Sequence, residues 1–396
     1  MFVIELGYVQ FSPFRKPKEK FFLLEVTPRA VRGLLLALYE DKTLRFLKSW
    51  NTICLADFFS ARNAAAFFRT RSRWRTIVSL DPALAFTARI PFTMKRGSVG
   101  SPVESAELEN FLGKTVSQLF NQYRESASRS LECGETDAVL VGSRVQHFRI
   151  DGHAVIDPLG FRARAVQGMI ELTFVARPLY EELRPVFDEK KDCYITDSTR
   201  SEFAALLRVH DAPVSFAALR SARSFFATIT QAPIGYAFLQ KEFAWSATSF
   251  TDAIRSEWGI SEAVARLIYN RYREKQLSSV TENVVSRMIQ PAVKGLFGHL
   301  KRWKSGKGVI FLHSDEPFPF PLPQRREGIH VDAPPLELLM TKLGFRFDEK
   351  GRSFPQNELF GRLAPFVEFY YDKDKSDSQV NHWLRRRLHW LGAVHA

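Results

Sequence analysis

The segment Val380-Asn381-His382-Trp383-Leu384-Arg385-Arg386-Arg387-Leu388-His389-Trp390-Leu391 gathers the most distinctive side chains in the sequence. On a helix, Val380, Trp383, Leu384, Leu388 and Leu391 share one face, while Arg385, Arg386 and His389 lie off it. Trp and Leu beside Arg is the composition of a helix lying in a lipid–water interface, with guanidinium groups meeting lipid phosphates. The expected membrane-binding residues are therefore Val380, Trp383, Leu384, Arg385, Arg386, Arg387, Leu388, Trp390 and Leu391. The plainer alternative is a terminal helix docked on the protein's own core. Two further clusters, Arg69, Arg71, Trp74 and Arg75, and Lys301, Arg302, Trp303, Lys304 and Lys307, have the composition of a nucleic-acid or phosphate patch. Each reads more simply as a solvated edge strand or helix end.

Other chemistry is sparse. His147, His153, His210 and His313 show no ligand spacing with a carboxylate, and neither a Walker loop nor a nucleophile elbow is present. Cys54, Cys133 and Cys193 are odd in number and widely spaced, which excludes a disulfide framework or cysteine zinc site and fits a reducing, cytoplasmic setting. No positive evidence points to an enzyme.

The 396 residues are enough for two or three subdomains with sizeable cores. Hydrophobic residues at 45% and charged residues at 25% exclude disordered and fibrous classes, and 35 Phe favour sheet and dense cores. A net charge of +13 points to an anionic partner, either nucleic acid or an acidic membrane surface. Residues 1–20 are no secretory signal, and no run is long and apolar enough for a spanning helix.

The elements that must position these residues begin with strands at 22–26 and 44–50, a periodic element of unassigned type at 30–39 between them, and an apolar helix at 56–68. A strand at 85–92 leads into a loop, then an amphipathic helix with Leu108, Phe111, Leu112, Leu119 and Phe120 on one face. Strands at 137–150 and 162–176 flank the turn Asp151-Gly152-His153. Farther on, residues 243–248 read as strand and 250–258 and 262–273 as helices separated at Gly259. A longer helix at 280–303 should break at Pro291, and a short buried strand follows at 308–312. Asp372 to Ser378 reads as a charged linker.

The order of these pieces resembles the bacterial actin-like proteins FtsA and PilM, in which a strand–helix–strand–strand module interrupts the first lobe. Residues 145–176 are similar to the family's paired strands, with Asp157-Pro158-Leu159-Gly160 as the corner between them. Phe250-Thr251-Asp252-Ala253-Ile254 and Gly259-Ile260-Ser261-Glu262-Ala263 resemble two second-lobe helices, and residues 308–312 resemble the strand before the adenosine loop. The basic end resembles FtsA's membrane-targeting helix. The nucleotide loops depart from the pattern. Where the family has Asp-x-Gly-Ser/Thr, this chain has Glu25-Val26-Thr27-Pro28, and Pro28 removes an N–H that would face phosphate. The second hairpin's Asp-x-Gly-Gly has no counterpart in 211–242, and the adenosine loop is replaced by His313-Ser314-Asp315. Glu25, Thr27, His313 and Ser314 thus occupy degenerate nucleotide-loop positions, with Glu25 still able to order a magnesium-bound water. No cofactor is expected; ATP with magnesium is the disfavoured alternative.

The resemblance implies an α/β, actin-like (ribonuclease-H-like) two-lobed fold with an inserted α+β module. Its parts would be an N-terminal tail (1–20), a first lobe (21–84 and 178–210), the module (85–177), a second lobe (211–345), a C-terminal extension and linker (346–379) and the amphipathic tail (380–396). The implied role is an FtsA-like scaffold on the inner face of the membrane, tethering a tubulin-like division polymer to anionic lipid. Alternatives are a PilM-like pilus platform recruiting a membrane-protein peptide, and a basic nucleic-acid-binding protein. Self-association through the module, around Asp151-Gly152-His153 and loop 94–103, is a further expectation.

Overall fold

The structure, a computed structural model, describes residues 16–52, 55, 74–97, 100–189, 193–210, 214–232, 235–303, 308–354, 356–376, 380, 381, 383 and 384. The helix expected at 56–68, Arg69, Arg71 and residues 385–391 lie outside them.

β1 (Glu19–Val26), β2 (Val31–Leu38) and β3 (Thr43–Thr52) form an antiparallel meander, and β4 (Arg75–Leu80) adds in parallel beside β1. The side chains of β1 from Phe21 onward are buried on both faces, as a central strand covered by helices requires. The chain then leaves this sheet. β5 (Ala85–Lys95), α1 (Ser105–Ser130), β6 (Ala138–Ile150), β7 (His153–Ala154) and β8 (Ala165–Ala176) build a separate sheet in the order β5-β8-β6-β7. Leu108, Leu112, Val116, Leu119 and Phe120 of α1 bury against it, with Phe111 half-buried. The chain re-enters the first lobe through α2 (Arg177–Glu189), β9 (Cys193–Asp197), which is parallel to β4, and α3 (Ser198–Leu207). Arg75 therefore starts a strand lying between β1 and β9, not an edge strand.

The second lobe repeats the plan. β10 (Ser215–Leu219), β11 (Ser224–Ala232) and β12 (Gly235–Phe243) form a meander. α4 (Ser249–Trp258), α5 (Glu262–Arg273) and α6 (Ser279–Trp303) cover one face. β13 (Ile310–Ser314), β14 (Gln324–Arg326) and β15 (Ile329–Asp332) complete the sheet in the order β12-β11-β10-β13-β15-β14, followed by α7 (Leu336–Lys342). α4 ends at Gly259, whose φ of 64° supplies the left-handed cap. The strand expected at 243–248 stops at Phe243, and Trp245 and Ala247 reach the core from a loop. The break expected at Pro291 does not occur. Val285, Ile289, Val293 and Leu296 bury one continuous face through it, while Pro291 and Arg287 lie on the exposed side, where water can serve the freed carbonyl.

Of the stretch expected as a C-terminal extension and linker (346–379), the described residues up to Ser376 pack into the folded body. β16 (Arg346–Phe347) joins the first-lobe sheet beside β3, and α8 (Glu349–Ser353) packs near it. α9 (Gln356–Ser376) then lies against α3, with Phe366 edge-on to Phe21 at 5.0 Å between ring centroids. The charged stretch expected as a linker from Asp372 belongs to α9 as far as Ser376. α9 also ties the module down. Glu171 of β8 accepts from Arg89 at 3.0 Å and Arg144 at 2.7 Å, and pairs with Arg200 of α3. Arg200 also pairs with Glu368 of α9, which accepts from Thr196 at 2.6 Å. Module, first lobe and terminal helix thus share one buried charge cluster.

Candidate functional site

The carboxyl ends of β1, β4, β10 and β13 converge with the N-terminal half of α3, and this joint holds the degenerate loop residues. Glu25 is buried at the end of β1 and pairs with Arg32 at 3.3 Å. Thr27 closes the β1–β2 turn: its N–H reaches the Ala30 carbonyl at 2.9 Å, and its Oγ1 accepts the Ala30 N–H at 3.0 Å. His313 is buried with Nδ1 3.0 Å from Glu202 Oε2, while Ser314 is half-buried one residue on. Glu25 and His313 are brought together across α9. A Cβ built on Gly361 would sit 2.8 Å from His313 Cε1 and 3.3 Å from both Glu25 Oε1 and Glu202 Oε1. Glycine there lets α9 close on the joint, and even a methyl group has no room.

The residue that organises the joint is Arg220, at the start of the β10–β11 turn, which is a hairpin without glycine. Its side chain is fully buried. Its guanidinium lies 2.6 Å from Glu202, 3.1 Å from Asp315, 3.3 Å from Ser198 Oγ and 3.8 Å from Asp81. Asp315 also accepts the Ser221 N–H at 3.0 Å. Burial opposes the charge of Arg220, but Glu202, Asp315 and Asp81 raise its pKa well above the usual value. Burial alone would lift the Glu202 carboxyl; Arg220 and His313 instead hold it below the ordinary range. Asp81 is different. Burial dominates the opposing pull of Arg220 and pushes its pKa from 3.8 to about 7.

These residues do not fit a magnesium nucleotide. The N–H groups of Thr27, Ala30 and Ser221, at the turns that would face phosphates, are engaged within the chain, and Pro28 has none. The carboxylates that would order a hydrated cation already surround a guanidinium. The void beside Glu25, Arg32 and Arg362 measures about 10 Å³, about the room of one water.

Against these geometries stand the comparisons. No protein-family model matches the sequence, and no curated protein matches it. Among solved structures, the PilM–PilN type IV pilus biogenesis complex aligns over 88% of this chain and 96% of that chain, with a TM-score of 0.50 and 12% identity. The fold is actin-like. More distant is the cytoplasmic domain of EpsL, an inner-membrane component of the type II secretion system of Vibrio cholerae, covering 83% of this chain and 97% of that one at TM-score 0.34 and 10% identity. A Bacteroides thetaiotaomicron protein with an actin-like ATPase fold and unknown function covers 89% and 98% at TM-score 0.38 and 9% identity.

In this actin-like chain the terminal segment departs from the expected lipid anchor. Val380 (0% exposed), Trp383 (6%) and Leu384 (3%) are buried in the module core beside residues of α1, β6 and β8. Asn381 fixes the segment to β6. Its Oδ1 accepts the Val145 N–H at 2.7 Å and its Nδ2 donates to the Val145 carbonyl at 3.1 Å. An apolar helix face suits lipid and protein equally, and here the module's own uncovered surface takes it. Arg385, Arg386, Arg387, Leu388, Trp390 and Leu391 lie outside the described residues. Arg220 belongs to no nucleotide-loop motif, so motif spacing does not single it out. Its one signal is that an arginine directly follows the buried-strand run Val214 to Leu219.

Two outcomes follow. Between pH 4 and 7 folded Asp81 keeps a proton that the unfolded chain releases, so its contribution to stability falls as pH rises, by about 1.4 kcal/mol per pH unit. Asp81→Asn should therefore lose that part of the slope in urea unfolding measured from pH 4 to 8, gaining on wild type as pH rises. Replacing Trp383 and Leu384 together by Glu should lower unfolding stability by roughly 4 kcal/mol or more, because two charges would enter an apolar core. Unchanged stability of that variant would mean that the segment leaves the module in solution.

Proposed function

We propose that the protein is a nucleotide-independent actin-like platform subunit of a type IV pilus or related secretion assembly, recruiting a short segment of a membrane-anchored assembly protein. The observation that carries this reading is the joint between the lobes. Arg220 stands among Asp81, Glu202 and Asp315, the kind of acidic setting in which a nucleotide enzyme would place a metal ion, so the lobes are held by the chain's own cation. A part so held serves as a rigid scaffold. The likeness to PilM in its complex with PilN, over 88% of this chain, supports the pilus version and a membrane-protein peptide as partner. The division-tether version leaned on the terminal segment, and its apolar residues Val380, Trp383 and Leu384 are enclosed by the module.

Deletion of the gene separates the readings. Cells lacking the protein should lose surface fibres or secretion while dividing at normal length, and a copy carrying Glu25→Gln should restore the fibres. Filamentous cells with failed septa and intact fibres would contradict the proposal.

A further inference from the structure

The module is a sheet whose strands run away from their root in the first lobe. β5 runs 11 residues, about 36 Å at the rise of an antiparallel strand. Its near end is rooted in the first lobe, where Ala85 and Val175 share a core with Val78 and Leu80. Its far end is the set of residues where Lys95 faces Ala165 and Ile150 faces Val166. The connection between β6 and β8 caps that far end and is held on all sides. Asp151, at φ 47°, accepts the N–H groups of Arg164 and Ala165 at 3.0 and 2.9 Å. Asp157 accepts the Leu159 N–H at 3.0 Å, and Gly160, at φ 80°, donates to Val103 at 3.0 Å. Val103 in turn donates to Phe161 at 2.8 Å, and Pro102 bridges to Arg162.

This fastened corner holds two large apolar side chains in water. Ile156 is 64% exposed and Phe161 52%, while their neighbours Pro158 and Ala163 are buried. The rim is basic: Lys95, Arg162 and Arg164 are exposed and Arg149 half-buried. Among the described residues, Lys95, Arg149 and Arg162 form no ion pair. The acids nearby are largely engaged in the loop itself, Asp151 and Asp157 on backbone N–H groups and Glu107 on Arg96, with Glu104 left exposed.

We propose that this tip is a contact for an anionic phospholipid surface, with Ile156 and Phe161 entering the acyl boundary and Arg162 and Arg164 meeting headgroup phosphates. Two exposed apolar side chains offer far less than the roughly 800 Å² that each partner of a protein interface needs. A bilayer accepts an apolar tip of any outline and rewards a cationic rim. The chain's net charge of +13 favours the same partner, and no helix among the described residues is long and apolar enough to cross a membrane.

Flotation of the full chain with phosphatidylcholine vesicles, with and without phosphatidylglycerol, tests the assignment. Wild type should float only with the anionic vesicles and less as salt rises. Ile156→Ser with Phe161→Ser, and separately Arg162→Glu with Arg164→Glu, should each weaken flotation on the order of 10-fold or more while leaving thermal unfolding unchanged. Absence of flotation by wild type, or equal flotation by the variants, would overturn the proposal. So would a concentration-dependent dimer in sedimentation that disappears in the serine variant, since the tip would then join two copies of the chain. Loss of fibres in the deleted strain bears on the pilus reading and leaves this assignment to the vesicles.

Discussion

One guanidinium, that of Arg220, holds the joint on which the rest of the molecule depends. It comes from the second lobe and reaches Glu202 on the helix that leaves the first lobe, Asp81 just past the end of the first-lobe strand β4 and Asp315 beside its own hairpin. Removing one partner from such a buried set costs about 3–5 kcal/mol, because the remaining charges lose their counter-ion in a site that water does not reach. Glu202, Asp315 and the arginine are therefore mutually necessary, and they link the two lobes at this joint.

The second consequence is rigidity around α9. Gly361 lets that helix close over Glu25, Glu202 and His313, and farther along the same helix Glu368 joins Arg200 and, through it, Glu171 of the module. Lobes, module and α9 are linked by two charge clusters that meet on α3, Glu202 joining Arg220 and Arg200 joining Glu171 and Glu368. A subunit built this way presents fixed surfaces, which suits a scaffold better than a machine that opens and closes around a ligand.

Much of the fold was legible in the sequence because it rests on local rules. The strands β1 and β3, the apolar face of α1, the turn at Gly160 and the helix stop at Gly259 each follow from periodicity or from a residue that tolerates positive φ, whereas the type of the element between β1 and β3 was not fixed by its pattern. The order of those pieces carried the actin-like assignment. The site was less legible. Loss of glycine announced that the phosphate loops were altered, but which side chain had taken their place depends on contacts between residues 81, 202, 220 and 315, and no spacing rule links those positions. The terminal segment misled for a simpler reason. Its amphipathic face states that something apolar will cover it, and the uncovered patch of the module, with the backbone of Val145 open to Asn381, decided what. The fate of residues 346–376 was hidden likewise, since a two-residue strand and a helix with an internal proline give almost no periodic signal.

The central claim, that the chain's own arginine holds the lobes together without nucleotide, is tested most directly by hydrogen–deuterium exchange of the β1–β2 and β10–β11 hairpins with and without millimolar ATP and magnesium. The account predicts slow exchange of the Leu24, Ser221 and Phe226 amides that is the same in both conditions. Protection of these hairpins that appears only with nucleotide would contradict it.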